Sequence, residues 1–287
     1  MDKKLLQTIC CLSTEELEKN LIQFLKGNGY KNIFHFEDNY IIAEGELPVC
    51  LIAHLDTVFS APPAYNEFLF DPEKKILWSP YGSGFDDRAG VTMIIQIINK
   101  GFRPSIIFTL GEEIGGQGAS QITYKFKKCP FKKCNALIEL DRMGEKDCVF
   151  YQCDNKDFKK YIESFGFEEA FGTFTDISII APHWGIAAVN LSIGYLDEHS
   201  HSERINIEWF ENSLERICSI LINSEQTKFY KYIPQVRQVF EFGNKYSCFF
   251  CGAPLKKKGY IKITEENGIN FNCCEACYNE FYKNIKI

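Results

Sequence analysis

The sequence predicts an α/β domain with a mostly parallel central sheet flanked by helices, followed by a small cysteine-rich module. Three observations carry this expectation. Apolar runs of strand length alternate with amphipathic stretches of helix length. Acidic or histidine clusters stand at or just past the ends of those runs. Five of the thirteen cysteines crowd the last forty residues.

Taken in order, Ser13-x-x-Glu16 is a capping box, and Leu17, Leu21, Ile22 and Leu25 recur at helical spacing up to Gly27. Strand-like runs follow at Asn32–Phe36, Tyr40–Ala43 and Val49–Ala53. Turn-rich Ser60–Pro63 and Asp71–Lys75 lead to a further short run. Val91, Ile94, Ile95 and Ile98 predict a helix over Arg88–Lys100, ended by Gly101. Ser105–Leu110, Ala136–Leu140 and Ala187–Ile193 are strands of the buried type. Asp157–Phe165 and Asp176–Ile180 are helical, and Glu208–Ile222 is a long closing helix. There is no internal repeat of solenoid period.

Charge separates the two modules. Residues 228–287 hold ten Lys/Arg against five Asp/Glu, whereas the remainder holds 22 against 33. The expected division is an α/β domain at 1–230, a linker at 231–245 and a cysteine-rich module at 246–287. The longest apolar stretches fall short of the roughly 18–20 residues of a membrane span. Polar Ser13-Thr14-Glu15-Glu16 interrupts the N-terminal apolar stretch, and no small-residue cleavage site follows. A cytoplasmic, reducing location with no membrane contact is the expectation, and its thiols then favour metal over disulfides.

The chemistry sits at the element ends, where α/β proteins place ligand sites. Val49–Ala53 runs into His54-Leu55-Asp56. Asp86-Asp87 precedes the helix at Arg88. Ser105–Leu110 ends in Gly111-Glu112-Glu113, Ala136–Leu140 in Asp141, and Ala187–Ile193 is followed by His199-Ser200-His201-Ser202-Glu203. Singly, each has a bland reading as a satisfied pair, an exposed turn or a helix cap. Five in succession are hard to explain as solvated surface.

Their order resembles the di-zinc aminopeptidase and deacylase superfamily, clan MH, over roughly residues 35–225. His54-x-Asp56, Asp86-Asp87-Arg88-x-Gly90, Glu112-Glu113, Asp141 and His199-x-x-x-Glu203 carry the match. The resemblance implies a zinc-aminopeptidase-like fold and two zinc ions, with cobalt or manganese as alternatives. One ion would take His54, Asp86 and Asp141; the other would take Asp86, Glu113 and His199, with Asp86 bridging. It implies Glu112 as general base and Asp56 as the carboxylate that orients His54. His201 competes with His199 for the last ligand position. His35 and His183 have no matching acidic neighbour and are expected to be structural, and Asp87 to shape its loop.

Large members of that superfamily carry a lid inserted among the ligands. Here 31 residues separate His54 from Asp86 and 57 separate Asp141 from His199, too few for one. In the second gap, Phe174, Trp184 and Tyr195 are candidate apolar walls. Asp176 either caps a helix or meets a substrate amine. Arg142 is expected to neutralise nearby acid.

In the tail, Cys248-x2-Cys251 and Cys274-x2-Cys277 have the form of a four-thiolate zinc ribbon, with Cys273 as an alternative to Cys274. About forty residues have too little core to fold alone, so a structural zinc would stabilise them. Lys256-Lys257-Lys258 with Phe249, Phe250 and Tyr260 raises nucleic-acid or protein contact through the ribbon as a second role. No Gly-x-Ser-x-Gly elbow is present, and Gly115-Gly116-Gln117-Gly118 lacks the Lys-Ser/Thr of a phosphate loop. The expected function is hydrolysis of a peptide or small amide by an aminopeptidase-like enzyme. An N-acyl amidohydrolase, or a binding module centred on the ribbon, is the alternative.

Overall fold

Ser13 and Glu16 cap each other: the Glu16 amide donates to Ser13 Oγ at 3.2 Å, and the Ser13 amide to Glu16 Oε2 at 3.0 Å. The structure is a computed structural model that describes residues 2–235, 248, 255, 261–264 and 270–279. The cap opens helix α2 (Thr14–Gly27), which follows α1 (Lys3–Cys10). Strands β1 (Ile33–Phe36), β2 (Tyr40–Ala43) and β3 (Leu47–His54) come next, then short β4 (Leu69–Asp71) and β5 (Ile76–Trp78). After them run α3 (Phe85–Asn99), β6 (Pro104–Thr109), α4 (Gln117–Lys125), β7 (Ala136–Arg142) and β8 (Asp147–Val149). The remainder of this part is α5 (Lys156–Glu163), β9 (Glu168–Glu169), α6 (Ile177–Trp184), β10 (Ala188–Ser192), β11 (Tyr195–Leu196), β12 (Arg204–Asn206) and α7 (Ile207–Asn223).

Eight strands form the central sheet in the order β1-β2-β6-β3-β7-β10-β8-β9. Its middle, β6-β3-β7-β10, is parallel, so these strands present their C-terminal ends at one edge. Side chains alternate across β3: Leu51 and Ala53 join one buried cluster with Leu17, Ile94 and Phe210, while Cys50 and Ile52 join another with Ile122 and Ile180. Helices therefore cover both faces, which is why these strands read as continuous apolar runs rather than alternating ones.

Asp86 and Asp87 have non-helical backbone angles within α3, so its regular part begins at Arg88, as the periodicity predicts. Helices α1 and α4 and the four-stranded sheet β11-β12-β5-β4 were not anticipated. Helix α4 follows Gly115-Gly116 and has few periodic apolar positions, while the small sheet is built of two- and three-residue strands too short to show a period. Among the described residues no helix is long and apolar enough to cross a membrane.

The chain divides into two compact units, 1–235 and 236–287. Residues 231–235, assigned to a linker from sequence, pair with the first unit. Lys231 bridges Ile186, Pro234 bridges Cys153, and the Tyr232 amide donates to the Gly185 carbonyl at 2.9 Å. In the second unit β13 (Ile261–Thr264) and β14 (Asn270–Cys273) form an antiparallel pair leading to the short helix α8 (Glu275–Cys277). Cys248 and Cys273 are buried together, and the Cys274 amide donates to Cys248 Sγ at 3.3 Å. Cys251, the side chain of Cys277, Lys256-Lys257-Lys258, Phe249, Phe250 and Tyr260 lie outside the described residues.

Candidate metal centre

The acids and imidazoles expected at the site come from several elements, and the parallel strands bring most of them together. His54 is the last residue of β3, Glu112 and Glu113 follow β6, and Asp141 lies near the end of β7. Asp86 opens α3, and His199 sits in the loop after β11. His54 Nε2 lies 2.9 Å from Asp86 Oδ1 and 3.5 Å from Asp141 Oδ1. On the opposite side of Asp86, His199 Nε2 lies 3.2 Å from its Oδ2 and 3.0 Å from Glu113 Oε2. The ligand atoms of His54, Asp86 and Glu113 fall within 4.8 Å of one another, as do those of His54, Asp87 and Asp141.

Other acids hold this arrangement in place. Asp56 meets His54 Nδ1 with its backbone carbonyl at 3.0 Å, its Oδ1 lying at 3.5 Å, and its two carboxylate oxygens accept the amides of Glu112 and Glu113 at 3.4 and 3.3 Å. Asp87 accepts the amides of His54 and Gly90, so it shapes the loop. Glu203 is fully buried and accepts the amides of Phe85 and Asp86, fixing the bend where α3 begins.

Three helpers around Asp141 were missed from sequence. Tyr195 Oη donates to its Oδ1 and Thr175 Oγ1 to its Oδ2, both at 3.1 Å. Asn190 on β10 accepts the Asp141 amide at 2.9 Å and donates to its carbonyl at 2.8 Å. Glu139, two residues before Asp141, is buried and one of its oxygens has no partner among the described residues. Polar Asn190 and Glu139 inside otherwise apolar strands were the available signal, because a buried polar group needs a purpose or a partner.

The electrostatics follow from crowding. Burial, then repulsion from Asp141, pushes Glu112 up to about 8. Burial and Asp86 push Glu113 up to about 7. The bond from Asp86 raises His199 to about 9. Burial opposes charge on His54, but Asp141, Asp56 and Asp86 outweigh it and hold its pKa well above the ordinary value. Burial likewise opposes charge on Asp86, yet its bonds to both imidazoles keep it well below the usual carboxylate range. Among the described residues, none of these carboxylates is ion-paired to Lys or Arg. This many acids gathered with two imidazoles and no Lys or Arg partner is chemistry that fits divalent cations. Imidazole nitrogen with carboxylate oxygen is a donor set suited to zinc.

Several other expectations are answered by geometry. His201 packs on Phe59, with ring centroids 5.7 Å apart, and is not in the cluster. Asp176 is buried with both carboxylate oxygens unpartnered among the described residues, and it makes no side-chain cap bond to α6. Burial raises it to about 7. Arg142 faces Asp147 at 3.6 Å and neutralises that surface acid. Tyr195 holds Asp141 instead of forming an apolar wall. Trp184 donates to the Phe126 carbonyl at 3.0 Å and packs against Phe131 instead. His35 bonds Glu18 at 2.7 Å.

No protein-family model matches the sequence, and no curated protein does. Solved structures do share the fold. Aminopeptidase PepT from Bacillus cereus is 13% identical with a TM-score of 0.63, over 77% of this chain and 97% of that one. A tripeptidase from Staphylococcus aureus is 12% identical with a TM-score of 0.63, over 78% and 98%. The TET aminopeptidase of a marine-sediment Thaumarchaeota archaeon is 12% identical with a TM-score of 0.58, over 76% and 95%. At these identities the likeness establishes the fold.

Proposed function

We propose that the protein is a metal-dependent peptidase, an aminopeptidase-like exopeptidase with two zinc ions in its core. The observation that carries this reading is Asp86, whose two oxygens face two different imidazoles inside a group of acids that has no Lys or Arg partner among the described residues. His54, Asp86 and Asp141 would hold one ion, and Asp86, Glu113 and His199 the other. Two divalent ions there would polarise the scissile carbonyl and lower the pKa of water from about 16 toward 7.

The chain's own residues do the rest. Glu112 takes the attacking water's proton on a carboxylate oxygen and returns it to the leaving amine. Its raised pKa belongs to a site without cations; beside two dications it is ionised, the form a base requires. The Asp56 carbonyl, 3.0 Å from Nδ1, fixes the tautomer of His54, with the Asp56 carboxylate beside it. Asp176, a buried acid with only the Thr109 hydroxyl close by, receives the substrate's ammonium group. That last feature favours a peptide with a free amino terminus over an N-acyl amide, which has no such charge. Comparison of matched aminoacyl and N-acyl amides with zinc, cobalt or manganese tests the choice: faster cleavage of the N-acyl substrate would make this a deacylase.

For the second unit the proposal is a structural zinc held by Cys248, Cys251, Cys274 and Cys277, in a protein of the reducing cytoplasm. Cys248 supports it, being buried next to the backbone of Cys274. Metal analysis of the full chain against a Cys248→Ser variant tests it. A partner for the ribbon is secondary, since the base Glu112 would be needless in a core kept only for binding.

A further inference from the structure

We propose that a cavity beside the metal centre is a subsite for a small oxyanion, a carboxylate or a phosphate-sized group, with Arg88 as its counter-charge. The cavity has a volume of about 180 Å³ and is lined by Arg88, Ser13, Thr14, Asp56, Thr57 and Ser60 among others. At ~30 Å³ per water it has room for such a group together with solvent.

Arg88 is the unexplained residue. It is only 4% exposed, and among the described residues no carboxylate pairs with it. Its Nε–H has no acceptor among them. Its remaining bonds are long: Nη1 to the Ile9 carbonyl at 3.4 Å and Nη2 to Thr14 Oγ1 at 3.3 Å. The carboxylates of Asp56 and Asp87 lie close enough to favour its charge, yet neither accepts a bond from its Nε–H, which a bound oxyanion would satisfy.

The rest of the wall suits the same ligand. Helix α2, 14 residues long, begins there; Ser13 Oγ takes the Glu16 amide, and those of Thr14 and Glu15 have no acceptor within the helix. Of its own acids, Glu15 pairs with Lys19, while Glu16 turns back on the amide and hydroxyl of Ser13. Thr57 Oγ1 accepts the Phe59 amide and keeps its proton for a ligand. The one acid in the wall, Asp56, has its oxygens on His54 and on the amides of Glu112 and Glu113. Asp56 therefore touches both the cavity and the metal centre, and Phe59 at the rim packs on His201.

The oxyanion has two sources, a carboxylate carried by the substrate or a free inorganic anion. Titration calorimetry of the metal-loaded full chain with inorganic phosphate, repeated after chelation, separates the cavity from the metal ions, which also bind phosphate. The expected result is saturable binding that survives chelation. It should be weakened at least about tenfold by Arg88→Met, the loss of a charge-assisted contact. Ser60→Glu, which sets a tethered carboxylate at the exposed rim, should abolish it with the circular dichroism unchanged, even if Arg88→Met does not fold. Glutamyl and glutaminyl amides then distinguish the sources. A KM raised by Arg88→Met only for the glutamyl amide assigns the site to the substrate's carboxylate. Equal KM changes with phosphate binding intact in the wild type assign it to a free anion. The calorimetry reads out even if no amide is hydrolysed, so its failure is separate from failure of the peptidase reading. Phosphate binding that is absent, or equal in wild type, Arg88→Met and Ser60→Glu, overturns the proposal.

Discussion

Asp86 stands between two histidines, with Oδ1 2.9 Å from Nε2 of His54 and Oδ2 3.2 Å from Nε2 of His199. A carboxylate split in this way can serve two cations about 3.5–4 Å apart. Asp86→Asn should therefore remove both core ions at once, whereas His199→Ala should remove one. Elemental analysis after zinc-replete purification measures this; equal losses in the two variants would refute the bridging role.

Separating base from ligand is the purpose of a second variant. Glu112→Gln should keep the core metals and lose at least about two orders of magnitude in turnover. Near-normal turnover with metals intact would transfer the base role to another group.

Tyr195 supplies a hydroxyl to Asp141 Oδ1 at 3.1 Å. Tyr195→Phe should cost about 1 kcal/mol of stability. It should also weaken metal affinity about 10- to 100-fold, because the ligand loses the donor that orients it. Competition with a fluorescent chelator reports the affinity, and an unchanged value would make Tyr195 a packing residue only.

The metal-free chain should lose stability as pH rises from about 5 to about 8. Glu113, Asp176 and Glu203 are raised to about 7 and Glu112 to about 8, chiefly by burial. His199, raised to about 9 by Asp86, acts in the same direction. Each binds its proton more tightly when folded than unfolded, so the slope of stability with pH is negative across that window. Asp56 and Asp86 shift oppositely, and their contribution is lost only in more acid solution. Zinc should reverse the trend by replacing those protons. Thermal midpoints with chelator and with zinc test it; a chelated midpoint that climbs over this range would contradict the argument.

A chain ending at Gln235 should fold and cleave a small aminoacyl amide, since His54 through Glu203 all precede that point. One ending at Tyr230 should melt lower, losing the Lys231–Ile186 and Pro234–Cys153 bridges. A folded, metal-loaded but inactive 1–235 chain would mean that the second unit completes the active site.

The strands were legible because burial on both faces writes apolar runs such as Ser105–Leu110 directly into the sequence. The clustered acids were legible because a carboxylate after such a run needs compensation. Tyr195 and Thr175 were not legible, since a hydroxyl reaching across 54 or 34 residues leaves no local pattern. Asn190 within Ala-Val-Asn-Leu-Ser signals a buried polar group but does not name its partner, Asp141. The 231–235 segment looked loose because its partners, Gly185, Ile186 and Cys153, are far away in the chain.

Drawing the site from residues 54 to 199 also orders its completion during synthesis. His54, Asp86 and Asp141 have all left the ribosome once residue 141 has emerged, but β10 with Asn190, and Tyr195 with His199, come some fifty residues later. A nascent chain halted between those points carries the acids without the groups that orient them. Its central strand β3 already has both neighbours, β6 and β7, yet β7 is still an open edge until β10 arrives. Such an edge is a template for pairing with other chains. The step that closes it also delivers the last histidine, so a chain able to hold both ions is one whose central sheet has already been completed through β10.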